Sequence, residues 1–255
     1  MSKAQTRTDT AKFALALGDD ALTMGQRLSE WISNGPFLEE DIALANVALD
    51  FAGRARMFLT YAGELEGEGR SEDDLAFFRD CREFSNLLIF ELPVGDFANT
   101  MARQYLIDAF EVPYFGALSQ SKDETIAAIA AKAVKECRYH LRRSRDWILR
   151  LGDGSEESHR RVHQAFIDVW PFVAELFEMP EYEARLVAAG IAADRAALRA
   201  GWQSEVEATL REATLEVPDD DRVIRGGREG IHTEHLGHML SQMQFMQRAY
   251  PGLEW

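Results

Sequence analysis

At 255 residues, with 46% apolar and 28% charged side chains, the chain can bury one sizeable core and has the composition of a soluble globular protein. A net charge of −15, with six acids between Glu64 and Asp74, argues against nucleic acid and against an anionic membrane as partners. No stretch of about 18 apolar residues is present to span a bilayer, MSKAQTRTDTAKF lacks the apolar run of a secretion signal, and two distant cysteines, Cys81 and Cys137, make no disulfide framework. The expectation is a single cytoplasmic domain over 1–255.

From 12 to 33, Leu17, Ala21, Met24, Leu28 and Trp31 step by four and three along one helical stripe that NGP at 34–36 stops. A second helix over 37–66 has two apolar faces, Leu44, Ala48, Phe51, Ala55, Phe58 and Ala62 on one, Ile42, Ala45, Leu49 and Ala52 on the other. A helix apolar on most sides is buried between neighbours or between subunits. LAFFRDCREFSNLLIFEL (75–92) predicts a shorter helix ended by Pro93 and Gly95. Val94 to Phe115 marks a third long helix, bent near Pro113, and 123–151 a fourth that ends at LGDG. Four long helices with short connections predict a bundle with its core over about 12–151. Accessory helices follow within 156–250, over 156–178, 181–189 and 194–215, then a loop over 216–230 and a last helix over 231–249.

A carboxylate-bridged di-iron centre in such a bundle needs a Glu from each of two helices and a Glu-x-x-His pair from each of the others. The i, i+3 spacing sets carboxylate and imidazole one turn apart on one face. The second helix has Asp50 with Gly53, the third Asp108 on an apolar seam, and the fourth Glu136 with Tyr139. At about 100° per residue, His140 lies in the fourth helix's seam, Glu136 roughly 60° away and Tyr139 roughly 120° away. The set reads as a degenerate metal site that holds no metal, its buried Asp108 requiring a partner. An independent metalloenzyme or ferroxidase using Asp108, Glu136 and His140, with the histidines of the last helix as further candidates, is the rival reading, and a small-molecule binding module is a third.

In HTEHLGHML, His232, His235 and His238 recur every third residue and fan around the helix by roughly 60° per step. With Glu234 they are candidates for an interface, or for hydrogen-bonded core positions, rather than ligands of one ion. RGGREG (225–230) reads as a flexible loop. Lys132 to Arg150 holds seven basic residues against two acids, a solvated face or a docking surface for an acidic partner or a phosphate-bearing ligand.

DIALANVALDFAGRARMFL (41–59), ARQYLIDAF (102–110), KECRYHLRRSRDWILRLGDG (135–154) and GIHTEHLGHMLSQMQ (230–244), in this order, resemble the PaaC-type family, the C subunits of bacterial ring 1,2-phenylacetyl-CoA epoxidases, and the match extends to the closing PGLEW. The resemblance implies a ferritin-like fold and a noncatalytic structural subunit of phenylacetate catabolism. It implies a homologous A subunit that carries the di-iron centre and takes phenylacetyl-CoA, and a separate reductase with FAD, an iron–sulfur centre and NADPH. It implies no cofactor in this chain. It also implies ligand contacts at Glu83, Phe84, Ser85 and Asn86 and at Ala184, Arg185 and Leu186.

Overall fold

The computed structural model describes residues 2–219 and 222–253. Asp220 and Asp221 of the predicted 216–230 loop, and Glu254 and Trp255 of PGLEW, lie outside the described residues. All regular structure among the described residues is helical. The fold is all-α and ferritin-like, built on two hairpins of long helices. Each hairpin anchors a compact unit, one made of the residues up to Pro93 and from Gly226 onward, the other of Val94–Arg225.

In the first unit, α1 (Lys3–Ser29) pairs with α2 (Leu38–Glu66). The helix starts well before residue 12 because Ser2 caps it, accepting from the Gln5 N–H at 3.2 Å, and Asp9, Thr10 and Ala11 are already buried. The pairing is antiparallel and close. A Cβ on Gly18 would stand 2.6 Å from Leu59 Cδ2, and one on Gly25 3.3 Å from the Ala48 carbonyl, so glycine lets the backbones approach.

The predicted helix over 75–92 does not form. In its place stand α3 (Glu72–Phe77), a 3-10 turn at Cys81–Glu83 and α4 (Leu88–Glu91). The reason lies in α1. Ser85 N–H donates to Asp19 Oδ2 at 2.9 Å and Leu87 N–H to Asp20 Oδ1 at 2.8 Å. A continuous helix needs both donors for its own carbonyls.

The second unit opens with α5 (Phe97–Leu118), started by the Asp96–Asn99 capping box, and α6 (Glu124–Gly152), started by Asp123. Phe97 meets Trp147 edge to face at 4.9 Å, Ser144 bonds Asp108 and Cys137 bonds Glu111, which sets these helices antiparallel. Pro113 is exposed within α5, which continues through it to Leu118. Next, α7 (Glu156–Val169) tightens into a 3-10 run at Trp170–Phe177, where Pro171 withdraws a donor, so the helix predicted over 156–178 is two pieces. α8 (Glu181–Ala189) ends on Gly190 at φ +76, and α9 (Arg199–Glu212) ties back to α5 through Trp202 Nε1, which donates to the Leu106 carbonyl at 3.0 Å.

The chain then returns to the first unit as α10 (Glu234–Met243) and α11 (Phe245–Ala249), where one helix over 231–249 was expected. The break is at Gln244, which is buried and donates to the Ala76 and Arg79 carbonyls, both at 3.0 Å. Leu236, Met239 and Leu240 pack with Phe84 into an apolar cluster. No helix among the described residues is long and apolar enough to cross a membrane.

Candidate functional site

Asp108 is fully buried on α5. It accepts from Gln104 Nε2 at 2.6 Å and from Ser144 Oγ at 2.7 Å, which answers the demand for a partner that its place on an apolar seam raises. Burial pushes its pKa up to about 7, against the charge of His140 and the Ser144 hydrogen bond, with Glu111 adding to the rise. On α6, His140 is 1% exposed and Tyr139 44% exposed, with the Arg142 guanidinium 5.7 Å from the Tyr139 ring centroid. Glu136 stands half-buried, 3.6 Å from Lys132. The Cys137 thiol meets Glu111 Oε2 at 3.2 Å.

In the first unit, Asp50 and Gly53 sit half-buried on α2, and Arg54, one turn after Asp50, is buried with its guanidinium 4.6 Å from the Phe51 ring centroid. These residues do not fit a carboxylate-bridged pair of iron ions. Gly53 has no donor atom, and the Tyr139 side chain is turned to the outside. Asp108 has both oxygens engaged and shares its charge with a proton near neutrality. On α2 Gly53 stands where the pattern calls for an imidazole, and the next residue, Arg54, brings a guanidinium, itself a cation.

The densest polar assembly in the first unit was not found in the sequence. Asp19 on α1 accepts from both terminal nitrogens of Arg79, and from the backbone and hydroxyl of Ser85. Asp20 takes Arg228 through two nitrogens, at 2.8 and 2.6 Å, and Arg228 also donates to the Ser85 carbonyl at 2.5 Å. Glu91, wholly buried, accepts from Asn86 Nδ2 at 2.8 Å, from Thr233 N–H at 2.6 Å and from His232 Nδ1 at 2.7 Å, while its carbonyl accepts from Arg27 at 2.9 and 2.8 Å. One signal was present, two adjacent acids, Asp19 and Asp20, between apolar Leu17 and Ala21.

Within this assembly Ser85 and Asn86 are bound to Asp19 and Glu91, and Phe84 lies under the Arg79 guanidinium at 4.2 Å. Glu83 is exposed, accepting from the Asp80 N–H. The other residues given by the resemblance lie on α8 of the second unit, where Ala184 is exposed, Arg185 pairs with Glu181 at 3.2 Å and Leu186 is buried.

His232 takes a core position. Its second nitrogen faces the Phe84 carbonyl at 2.9 Å, so both nitrogens stand on acceptors, an arrangement that favours the protonated ring. Burial lowers its pKa, but Glu91, the Phe84 carbonyl and the charge of Asp19 more than reverse this and hold it above its ordinary value. Glu234 and His238 are exposed and His235 is half-buried, its carbonyl accepting from Arg27. RGGREG is no free loop. Arg228 clamps Asp20, and Gly227 passes so close that a Cβ there would stand 2.2 Å from the Asn86 carbonyl. On the basic α6, Lys135, Arg138, Arg142 and Arg150 are exposed, and Arg145 pairs with Glu212.

A family model described as phenylacetic acid catabolic protein matches residues 1–255. The chain is also 53% identical over 243 residues to the C subunit of the 1,2-phenylacetyl-CoA epoxidase of Escherichia coli (strain K12), an alignment that covers 95% of this chain and 98% of that one. A helical hairpin in each unit, a ligand pattern short of its histidines and likeness along nearly the whole length converge: this chain belongs to the PaaA/PaaC family of phenylacetic acid catabolic proteins.

Proposed function

We propose that this chain is the structural, noncatalytic subunit of a phenylacetyl-CoA 1,2-epoxidase, pairing with a homologous A subunit that carries the di-iron centre. The observation that carries the reading is the ligand set, with Gly53 and an outward Tyr139 where histidines belong, in a chain 53% identical to the C subunit of the Escherichia coli enzyme. Arg54 supplies a fixed positive charge on the α2 turn of the ligand pattern, and Asp108 is satisfied by Gln104 and Ser144, so these elements fold without an ion. The chain has no turnover of its own, and the CoA thioester, the iron and the reductase's FAD, iron–sulfur centre and NADPH belong to other components. Free thiols at Cys81 and Cys137 support work in the cytoplasm.

The test is metal content by plasma mass spectrometry, on the chain purified alone and on the chain co-expressed with the A subunit. Iron near zero alone and bound in the co-purified pair is expected. About two irons per lone chain, lost on His140→Ala, would overturn the reading.

A further inference from the structure

α2 has a second apolar face that the fold does not cover. Opposite the side that holds Val47, Phe51 and Phe58, the residues Leu38, Ile42, Ala45, Leu49 and Ala52 step by four, three, four and three. At about 100° per residue all five fall in a stripe roughly 80° wide. Leu38, Ile42 and Leu49 are 71%, 53% and 68% exposed. No charged residue enters the stripe before Arg56 at its C-terminal end. One exposed leucine on a soluble helix is ordinary, but an uninterrupted apolar stripe of about four turns marks an interaction surface.

Two neighbouring features give the face a shape and a polarity. At Ala52 it opens into a groove of about 330 Å³ lined by Leu22, Ala55, Leu59, Ala76 and Phe77, with Arg56 and Glu72 paired at 3.2 Å on its rim. Asp41 and Glu39 flank the stripe on its two sides at the N-terminal end, so it is acidic at one end and basic at the other. Small Ala45 and Ala52 allow close approach, as glycines do between α1 and α2.

We infer that this face docks one long amphipathic helix of the A subunit, an inference that rests on the subunit reading above. The helix runs along α2 with apolar residues at four-three spacing, one of them seated in the groove. It carries a cation at the end that meets Glu39 and Asp41 and a carboxylate at the end that meets Arg56. A second copy of this chain is the poorer occupant, since it brings two net charges of −15 together over a stripe that holds one cation.

The experiment co-expresses a tagged A subunit with wild-type chain, with Ile42→Asp/Leu49→Asp, and with Ile167→Asp, a control on the exposed part of α7. It measures co-elution and affinity, and the melting of each chain alone. Wild type and Ile167→Asp are expected to co-elute, and the double variant to lose affinity by about 100-fold or more with its melting unchanged, since central apolar anchors carry most of an interface's energy. Should the double variant fold poorly, Leu49→Ser replaces it, with an expected loss of about 10-fold. Wild-type affinity in a folded variant overturns the inference and leaves the subunit reading standing. A lone wild-type dimer that Leu49→Asp breaks assigns the face to a second copy and overturns it too. A wild-type chain that does not bind the A subunit sinks both readings together.

Discussion

The first unit leaves Leu38, Ile42, Leu49, Phe78, Phe245 and Met246 on its surface, whereas the second keeps nearly all its large apolar side chains inside and lines α6 with Lys135, Arg138, Arg142 and Arg150. Of fifteen large apolar side chains exposed among the described residues, eleven belong to the first unit. The interiors differ as well. In the first unit buried charges join distant segments, Asp19 to Arg79, Asp20 to Arg228 and Glu91 to His232, across 60, 208 and 141 residues. In the second, Arg195 clamps Glu183 only twelve residues away, both contacts at 2.7 Å. In the first unit directional ionic clamps between distant segments help to fix the register of its elements, at a cost in desolvation.

The comparison breaks first at the clamps. Arg79→Met strands a fully buried Asp19, and Arg195→Met strands a buried Glu183, so each is expected to lose ~3–5 kcal/mol by chemical denaturation. The contrast lies in the spread of the damage. Hydrogen exchange should quicken in Arg79→Met through residues 81–91 and in α10, but in Arg195→Met only over 170–189. Damage in Arg79→Met confined to 75–87 would remove the distinction.

Asp108 comes next. Its pKa rises from 3.8 to about 7 on folding, so its contribution is complete below the unfolded value and is lost as pH climbs through about 7. Across that window the wild type gives up on the order of 4 kcal/mol, and Asp108→Asn does not. The melting temperature of the variant relative to wild type is therefore expected to rise from pH 4.5 to pH 8. A difference that stays level with pH would show that Asp108 is ionised in the fold throughout.

His232 gives the smallest and most local effect. Its folded pKa is raised above 6.5, so its share of stability is present below that value and disappears as pH rises through the folded pKa. Exchange protection of α10 amides, corrected for the intrinsic rate, should fall with rising pH in the wild type. In His232→Gln it should start lower and stay flat. Equal pH dependence in both proteins would assign the loosening to another group.

Local patterns were legible and distant bonds were not. The expected spans 37–66, 123–151 and 181–189 lie within one residue of α2, α6 and α8, because apolar periodicity and end signals belong to the helix itself. The inward turn of His140 and the outward turn of Tyr139 were also legible, since helix geometry is set within one turn. The helix predicted over 75–92 fails because Asp19 and Asp20, more than sixty residues earlier, capture its amides. Arg228 looked like loop for the same reason, as nothing beside it in the sequence announces Asp20. Three histidines fanned around one helix left their fates open, and only the acceptors around His232 decide which one turns in.

The clamp between Asp20 and Arg228 also sets an order of events during synthesis. At about 5–20 residues per second, Arg228 leaves the ribosome roughly 10–40 seconds after Asp20. Asp19 finds Arg79 early, but Asp20 and Glu91 wait without their cations while all of Val94–Arg225 is made. Through that interval the nascent chain carries two acids without the cations that hold them in the finished fold. A product truncated before residue 228 lacks both Arg228 and His232, so the first unit depends on the last thirty residues of the chain for these buried ionic contacts.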